Sequence, residues 1–255
     1  MNLLYKKTVN KMFNLFKKKP IKKVEEMEIT KDNISIFFNK FYKPRVPLLI
    51  KGGANNWPLI KKWNTTYISE IAGTQACTIV EDSRPAFAKE QTTLRFFFNN
   101  LIHKGTLTLT NYDNKNLPKF LKDIPLPNLL FSKKDIYRYF FYFGPDKSGT
   151  LPHNHGDAFN ILSSGTKEWL FYDANKAEAP KGQKEMLKTL REYHIGSNAS
   201  DYFKKEISSL NKRIDDVSMC TQEAGDIIYV PRQYSHAVLN KSDVMGIAFE
   251  TKILK

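Results

Sequence analysis

The chain has 255 residues, with 40 Lys and Arg against 26 Asp and Glu, a formal excess of +14. The first 23 residues hold eight of those lysines and no acid, so the other 232 carry an excess of six, an ordinary balance that does not indicate a nucleic-acid face. A hydrophobic fraction of 41% with 18 Phe and 12 Tyr excludes a disordered chain, and two cysteines, Cys77 and Cys220, are too few for a disulfide framework, which leaves one bridge open and a reducing compartment as the default.

No uncharged apolar run approaches the ~20 residues of a membrane span. The amino terminus also lacks the apolar stretch and cleavage site of a secretory signal, so a cytoplasmic or nuclear location is expected. Residues 1–23 read as a basic amphipathic or disordered tail, with Val9, Met12, Phe13 and Phe16 at helical spacing and Lys7, Lys11 and Lys18 on the other side. Such a stripe suits an anionic membrane surface, an organellar presequence, or packing on the domain that follows.

Residues 24–255 are expected to form a single domain. Thr30 to Asn33 opens a helix carrying Ile34, Ile36, Phe37, Phe38 and Phe41. Pro47 to Ala54 reads as a short strand stopped by glycines, Thr65 to Ile71 as a helix ended near Gly73, and Ala76 to Val80 as a strand. Thr92 to His103 has helical periodicity, and Thr106 to Thr110 alternates like a strand.

After the Pro-rich stretch 117–127 the pattern is β: Tyr137 to Phe143, Ala158 to Leu162, Glu168 to Tyr172, Val217 to Thr221, Ile227 to Val230, Ala237 to Asn240 and Met245 to Thr251. A Lys- and Glu-rich insertion at about 174–214 interrupts it, with helical patches at 184–193 and 202–210. Short, closely spaced strands with one insertion predict a mainly β fold, an antiparallel barrel or jelly roll with flanking helices.

Of five histidines, two lie in Gly149-Thr-Leu-Pro-His153-Asn-His155-Gly-Asp157 and a third, His236, in Gly225-Asp-Ile-Ile-Tyr-Val-Pro-Arg-Gln-Tyr-Ser-His236-Ala-Val-Leu-Asn240. Residues i and i+2 of a strand share a face, so His153 and His155 can enter one barrel mouth together. A short His step plus one distant His is a way to hold a metal at three adjacent corners, an arrangement used for iron(II) with two histidines and a carboxylate. His155-Gly-Asp157 offers that set in a second register, so Asp157 stands as an alternative ligand. His103 and His194 have no partner by spacing, and Asp226 reads as a turn-closing residue.

Three segments carry a resemblance to the Jumonji-C, or cupin-like, 2-oxoglutarate oxygenases. They are Pro47-Leu-Leu-Ile-Lys-Gly-Gly-Ala with Trp57-Pro58 and Trp63, then residues 149–171 with Gly165-Thr-Lys167-Glu-Trp169, then Ala224-Gly-Asp-Ile-Ile-Tyr-Val-Pro through His236 to Asn240. The resemblance implies a double-stranded β-helix holding iron(II), with 2-oxoglutarate as cosubstrate and O2 as oxidant. It matches His153 and His236 to the proximal and distal ligands and Lys167 to the cation on the far carboxylate of the cosubstrate. It also places Thr150, Asn160 and Tyr142 near that cosubstrate.

Most relatives read His-x-Asp or His-x-Glu where this chain reads His153-Asn-His155, so the resemblance is to a subgroup with His-x-His-Gly. The implied activity is hydroxylation of a protein side chain. Two alternatives stay open: a cupin-like binding module without turnover, and a three-histidine metal dioxygenase that does without 2-oxoglutarate. A monomer is expected, because the carboxy-terminal helices through which some relatives dimerise are not seen in the sequence.

Overall fold

A computed structural model describes residues 21–80, 89–99, 106–111, 117–126, 128–173, 199–205, 217–232 and 234–254. Its strands are β1 (Lys22–Lys23), β2 (Glu25–Met27), β3 (Leu48–Ile50), β4 (Ala76–Val80), β5 (Lys89–Thr93), β6 (Thr106–Asn111), β7 (Ile136–Gly144), β8 (Gly149–His153), β9 (Ala158–Ser164), β10 (Thr166–Asp173), β11 (Ser218–Glu223), β12 (Ile227–Val230), β13 (Tyr234–Asn240) and β14 (Val244–Thr251). They make a sheet ordered β1-β11-β10-β13-β8 and a larger one ordered β2-β3-β12-β9-β14-β7-β6-β4-β5. From β8 onward the chain crosses repeatedly between the two sheets and pairs antiparallel within each, so the expected mainly β jelly roll is what forms.

Period-two sorting decides which side chains face the space between the sheets. In the larger sheet Tyr139, Phe141 and Phe143 of β7, Phe159 and Ile161 of β9, and Ile247 and Phe249 of β14 turn outward into the main core. Tyr142, Asn160 and Ala248, one residue out of phase with these, face inward. In the smaller sheet Leu170, Tyr172, Ala237 and Leu239 turn outward against the helix Ala199–Lys205, leaving Lys167, Trp169, His236 and Val238 inside.

The outer core is closed by helices whose starts the sequence marks. Ile34–Ile36 continues as a π-helix, Phe37–Tyr42, which buries Phe37, Phe41 and Tyr42. The Phe37 ring meets Tyr229 edge-on at 5.4 Å behind β12. Asn64 caps Thr65–Ala72 by accepting the Tyr67 N–H at 2.9 Å. Trp63 and Tyr67 then donate to the fully buried Asp123 at 3.1 and 2.6 Å, which with Lys62 holds that carboxyl below its usual range despite its burial.

The helix expected from Thr92 begins later. Residues 89–93 pair with β4, Thr93 opposite Ala76, and among the described residues of that stretch Leu94–Asn99 is helical. The Thr93 hydroxyl accepts the Phe96 N–H at 3.3 Å, so a residue read as helical is a cap. Lys22–Lys23 and Glu25–Met27 carry no strand signal, yet they pair parallel to β11 and β3. The tail through residue 20, His103, His194 and most of the insertion lie outside the described residues. Cys77 and Cys220 are buried free thiols in separate clusters.

The β9–β10 turn sets the spacing between His155 and Lys167, and its Gly165 has φ +83°. A Cβ there would overlap the Asp243 carbonyl oxygen. Gly165→Ala is expected to destabilise the fold by about 1–3 kcal/mol, read as a lower urea midpoint with an unchanged slope.

Candidate metal and cosubstrate site

β13 runs between β8 and β10, and this places the histidines. His236 stands opposite His153 across one pairing and opposite Phe171 across the other. His155 lies two residues beyond the end of β8, in the connection to β9, so a loop rather than the strand brings it in. The ligating atoms of His153, His155 and His236 lie within 4.8 Å of one another. Ring centroids are 4.2 Å apart for His153 and His236 and 4.7 Å for His155 and His236.

Each Nδ1 sits on a main-chain carbonyl: His153 on Leu151 at 2.9 Å, His155 on Gly156 at 2.8 Å, His236 on Tyr234 at 3.3 Å. A carbonyl oxygen only accepts, so this network assigns the proton to Nδ1 and leaves each Nε2 with its lone pair. Burial first, then the neighbouring imidazoles, push His236 well below its usual range. The same causes push His153 to about 4, although part of that residue is open at the mouth. Three imidazoles with Nδ1 tied to main-chain carbonyls, each presenting Nε2, form a donor set that suits a divalent transition metal.

A cavity of about 360 Å³ runs inward from these rings. Lys167, only 6% exposed, lines it. Its Nζ lies 3.5 Å from the centroid of the Tyr142 ring, and burial lowers its pKa to about 7. Tyr142 donates to Asn160 Oδ1 at 2.6 Å, which leaves the Asn160 amide hydrogens as donors on that wall. Thr150 lines the same space from β8. The four polar residues expected near a cosubstrate therefore share one cavity with the three histidines.

Asp157 is held elsewhere. Its Oδ2 accepts from Arg232 Nε at 2.8 Å, and its Oδ1 accepts from the Arg232 N–H at 3.0 Å and the Tyr229 hydroxyl at 3.2 Å. It borders a separate cavity with Tyr42 and Arg45, and is not among the three clustered residues.

Other groups at the cavity were not marked by sequence reading. Trp169, which the sequence offered only as part of a motif segment, stacks on Phe171 at 5.7 Å, donates to Gln222 at 2.9 Å and forms a wall beside His236. Arg138 and Glu250, paired at 3.3 Å with Tyr137 donating to the same carboxylate, line the cavity from β7 and β14. Their alternation with buried aromatics was the available signal. Asp226, as expected, closes a turn, accepting from Lys51 Nζ at 2.7 Å and the Gly52 and Glu223 N–H groups.

Two sheets wound around such a polar cavity define a cupin-type barrel. The chain belongs to the cupin-like domain family, whose model matches residues 34–250, and the resemblance read from its motifs holds. It is 24% identical over 234 residues to an arginine-specific demethylase of Arabidopsis thaliana, covering 84% of this chain and 43% of that protein. A lysine-specific demethylase of the same plant is 25% identical over 240 residues, covering 84% and 24%. A bifunctional arginine demethylase and lysyl-hydroxylase of Caenorhabditis elegans is 22% identical over 238 residues, covering 83% and 56%. The chain thus spans between about a quarter and just over half the length of these relatives.

The two registers differ in a measurable way. Asp157→Asn is expected to keep iron(II) affinity within about tenfold, as for a group that orients a ligand loop, whereas His236→Ala removes most of it. Anaerobic titration of iron(II) into the purified variants reads this directly, and equal losses would favour the His155, Asp157 and His236 set.

Proposed function

We propose that this chain is an iron(II)- and 2-oxoglutarate-dependent oxygenase that acts on a protein side chain. The observation that carries the reading is a buried lysine in the same cavity as three imidazoles with free Nε2 atoms. In this reading His153, His155 and His236 hold the metal, and Lys167 neutralises the far carboxylate of the cosubstrate. A cation fixed on a strand suits a carboxylate drawn out of water. Thr150 and the Asn160 amide supply donors along the ligand, and Trp169 and Tyr142 wall the cavity against water.

The bound pair would supply oxygen activation, with 2-oxoglutarate leaving as succinate and carbon dioxide. The protein's part is to hold metal, cosubstrate and target within reach. The names of the relatives, which refer to arginine and lysine residues, make basic side chains of a protein the first substrates to test.

A second reading rests on His155. A neutral imidazole where most relatives carry a carboxylate leaves the metal site one unit more positive, and this favours a binding module that has lost turnover. Lys167 argues against a dioxygenase that does without 2-oxoglutarate, since such a site has no use for a buried cation.

Anaerobic loading with iron(II), followed by 2-oxoglutarate titration and assay of uncoupled succinate formation, separates these readings. The oxygenase binds 2-oxoglutarate, loses binding in Lys167→Ala, and forms succinate in air. The binding module forms none, and wild type that holds iron but not 2-oxoglutarate would defeat the proposal.

The affinity should also depend on pH. Free Lys167 loses its proton above about pH 7, and a dianion binds the protonated form and raises its pKa. Affinity is thus flat below pH 7 and falls by about tenfold per unit above it until the raised pKa is passed. Calorimetry between pH 6 and 9 checks this, with Lys167→Arg expected to abolish the slope.

A further inference from the structure

Asn240 ends β13 and is 2% exposed, and no side-chain role was expected of it. Its Nδ2 donates to Ser148 Oγ at 2.8 Å, and that hydroxyl donates to the Pro145 carbonyl at 2.6 Å. This chain fixes the amide, because a hydroxyl that gives its proton to a carbonyl can only accept from Asn240. Gly144 leaves the room, since a Cβ there would overlap Asn240 Nδ2. The amide oxygen, Oδ1, is then left buried with no hydrogen-bond partner, in a side chain that lines the cavity. A buried acceptor without a donor is costly and calls for an explanation.

The cross-strand register supplies one. Asn240 stands directly opposite Lys167. Both main-chain groups of Asn240 point the other way, its N–H to Ser148 O at 2.8 Å and its carbonyl to the Lys147 N–H at 2.9 Å. Lys167 and Asn240 are therefore a pair without mutual main-chain bonds, the kind whose side chains stand closest. An ammonium has three protons to place. The Tyr142 ring face takes one direction, and a bound carboxylate takes a second.

We infer that Asn240 is the positioning residue for Lys167: when a dicarboxylate fills the cavity, Asn240 Oδ1 accepts the third ammonium proton and holds Nζ on the far carboxylate. This rests on the cosubstrate reading above and extends it by a residue that acts through Lys167 rather than on the ligand. Selectivity for a dicarboxylate over a monocarboxylate is the quantity it governs.

The test compares binding of 2-oxoglutarate with that of 2-oxovalerate, a five-carbon 2-oxo acid without the second carboxylate, to iron-loaded protein under anaerobic calorimetry. Asn240→Ala is expected to cut the preference for 2-oxoglutarate by about tenfold or more, the range of a hydrogen bond to a charged group, with iron and 2-oxovalerate affinity unchanged. Asn240→Asp is expected to cut it further, because its own carboxylate would occupy the ammonium and repel the ligand.

A preference unchanged in Asn240→Ala, or an equal loss for both acids, would overturn the inference. Should Asn240→Ala fail to load iron, Ser148→Ala carries the test: freeing the amide must lower the preference, and an unchanged ratio overturns the role. The cosubstrate reading fails differently, through a wild type with no preference or a Lys167→Ala variant that keeps it.

Discussion

The double pairing of β13 is the constraint on which the rest of the cavity depends. One edge of the strand brings His236 opposite His153, and the other brings Asn240 opposite Lys167. Because side chains alternate, a slip of one residue would turn His236, Val238 and Asn240 out of the cavity and Ala237 and Leu239 into it. The apolar outward faces forbid that slip: Ala237 and Leu239 are buried against Leu170, Tyr202 and Phe203. The hydrophobic packing outside the barrel thus fixes the register of the polar groups inside it.

The inward groups set a charge balance that His155 alters. Three imidazoles contribute no charge, so a divalent ion and a protonated Lys167 would total +3 against the −2 of a dicarboxylate. With a carboxylate ligand the same assembly would be neutral. One uncompensated unit at about 6 Å is worth on the order of 3 kcal/mol at an effective dielectric of about 20. It strengthens attraction for an anionic cosubstrate and opposes a cationic side chain nearby. Glu250, 2% exposed on the cavity wall, is a carboxylate placed to offset such a cation, although Arg138 now shares it.

Much of this was legible in the sequence. The strands expected from Tyr137 onward form, most running a residue or two longer than expected, whereas β8 (Gly149–His153) was not among them. His153, His155, His236, Lys167, Thr150, Asn160 and Tyr142, each singled out in the sequence, line one cavity. What was not legible depends on long-range pairing. The sequence left Asp157 open as an alternative ligand, and the groups that hold its carboxylate, Arg232 and the Tyr229 hydroxyl, lie 75 and 72 residues on. Asn240 looked like the end of a strand because its neighbour Lys167 is reached across 73 residues by register. The charged strands β1 and β2 have no apolar alternation of their own, and what places them is the free edge of a neighbouring sheet.

The mouth of the cavity is held in part by polar ties, which fix its loops without burying them in a core and closing it. Asp157 joins the β8–β9 connection to the β12–β13 connection through Arg232, so that the segments bearing His155 and His236 are bound to each other from outside. Its hydrogen bond from Tyr229 carries the tie into the aromatic core beneath Phe37. A carboxylate used this way ties the loop that bears His155 to the segment that leads into β13 and His236. The acid that completes the more usual ligand pattern in sequence is thus engaged by Arg232 and Tyr229 and stands outside the cluster of three imidazoles.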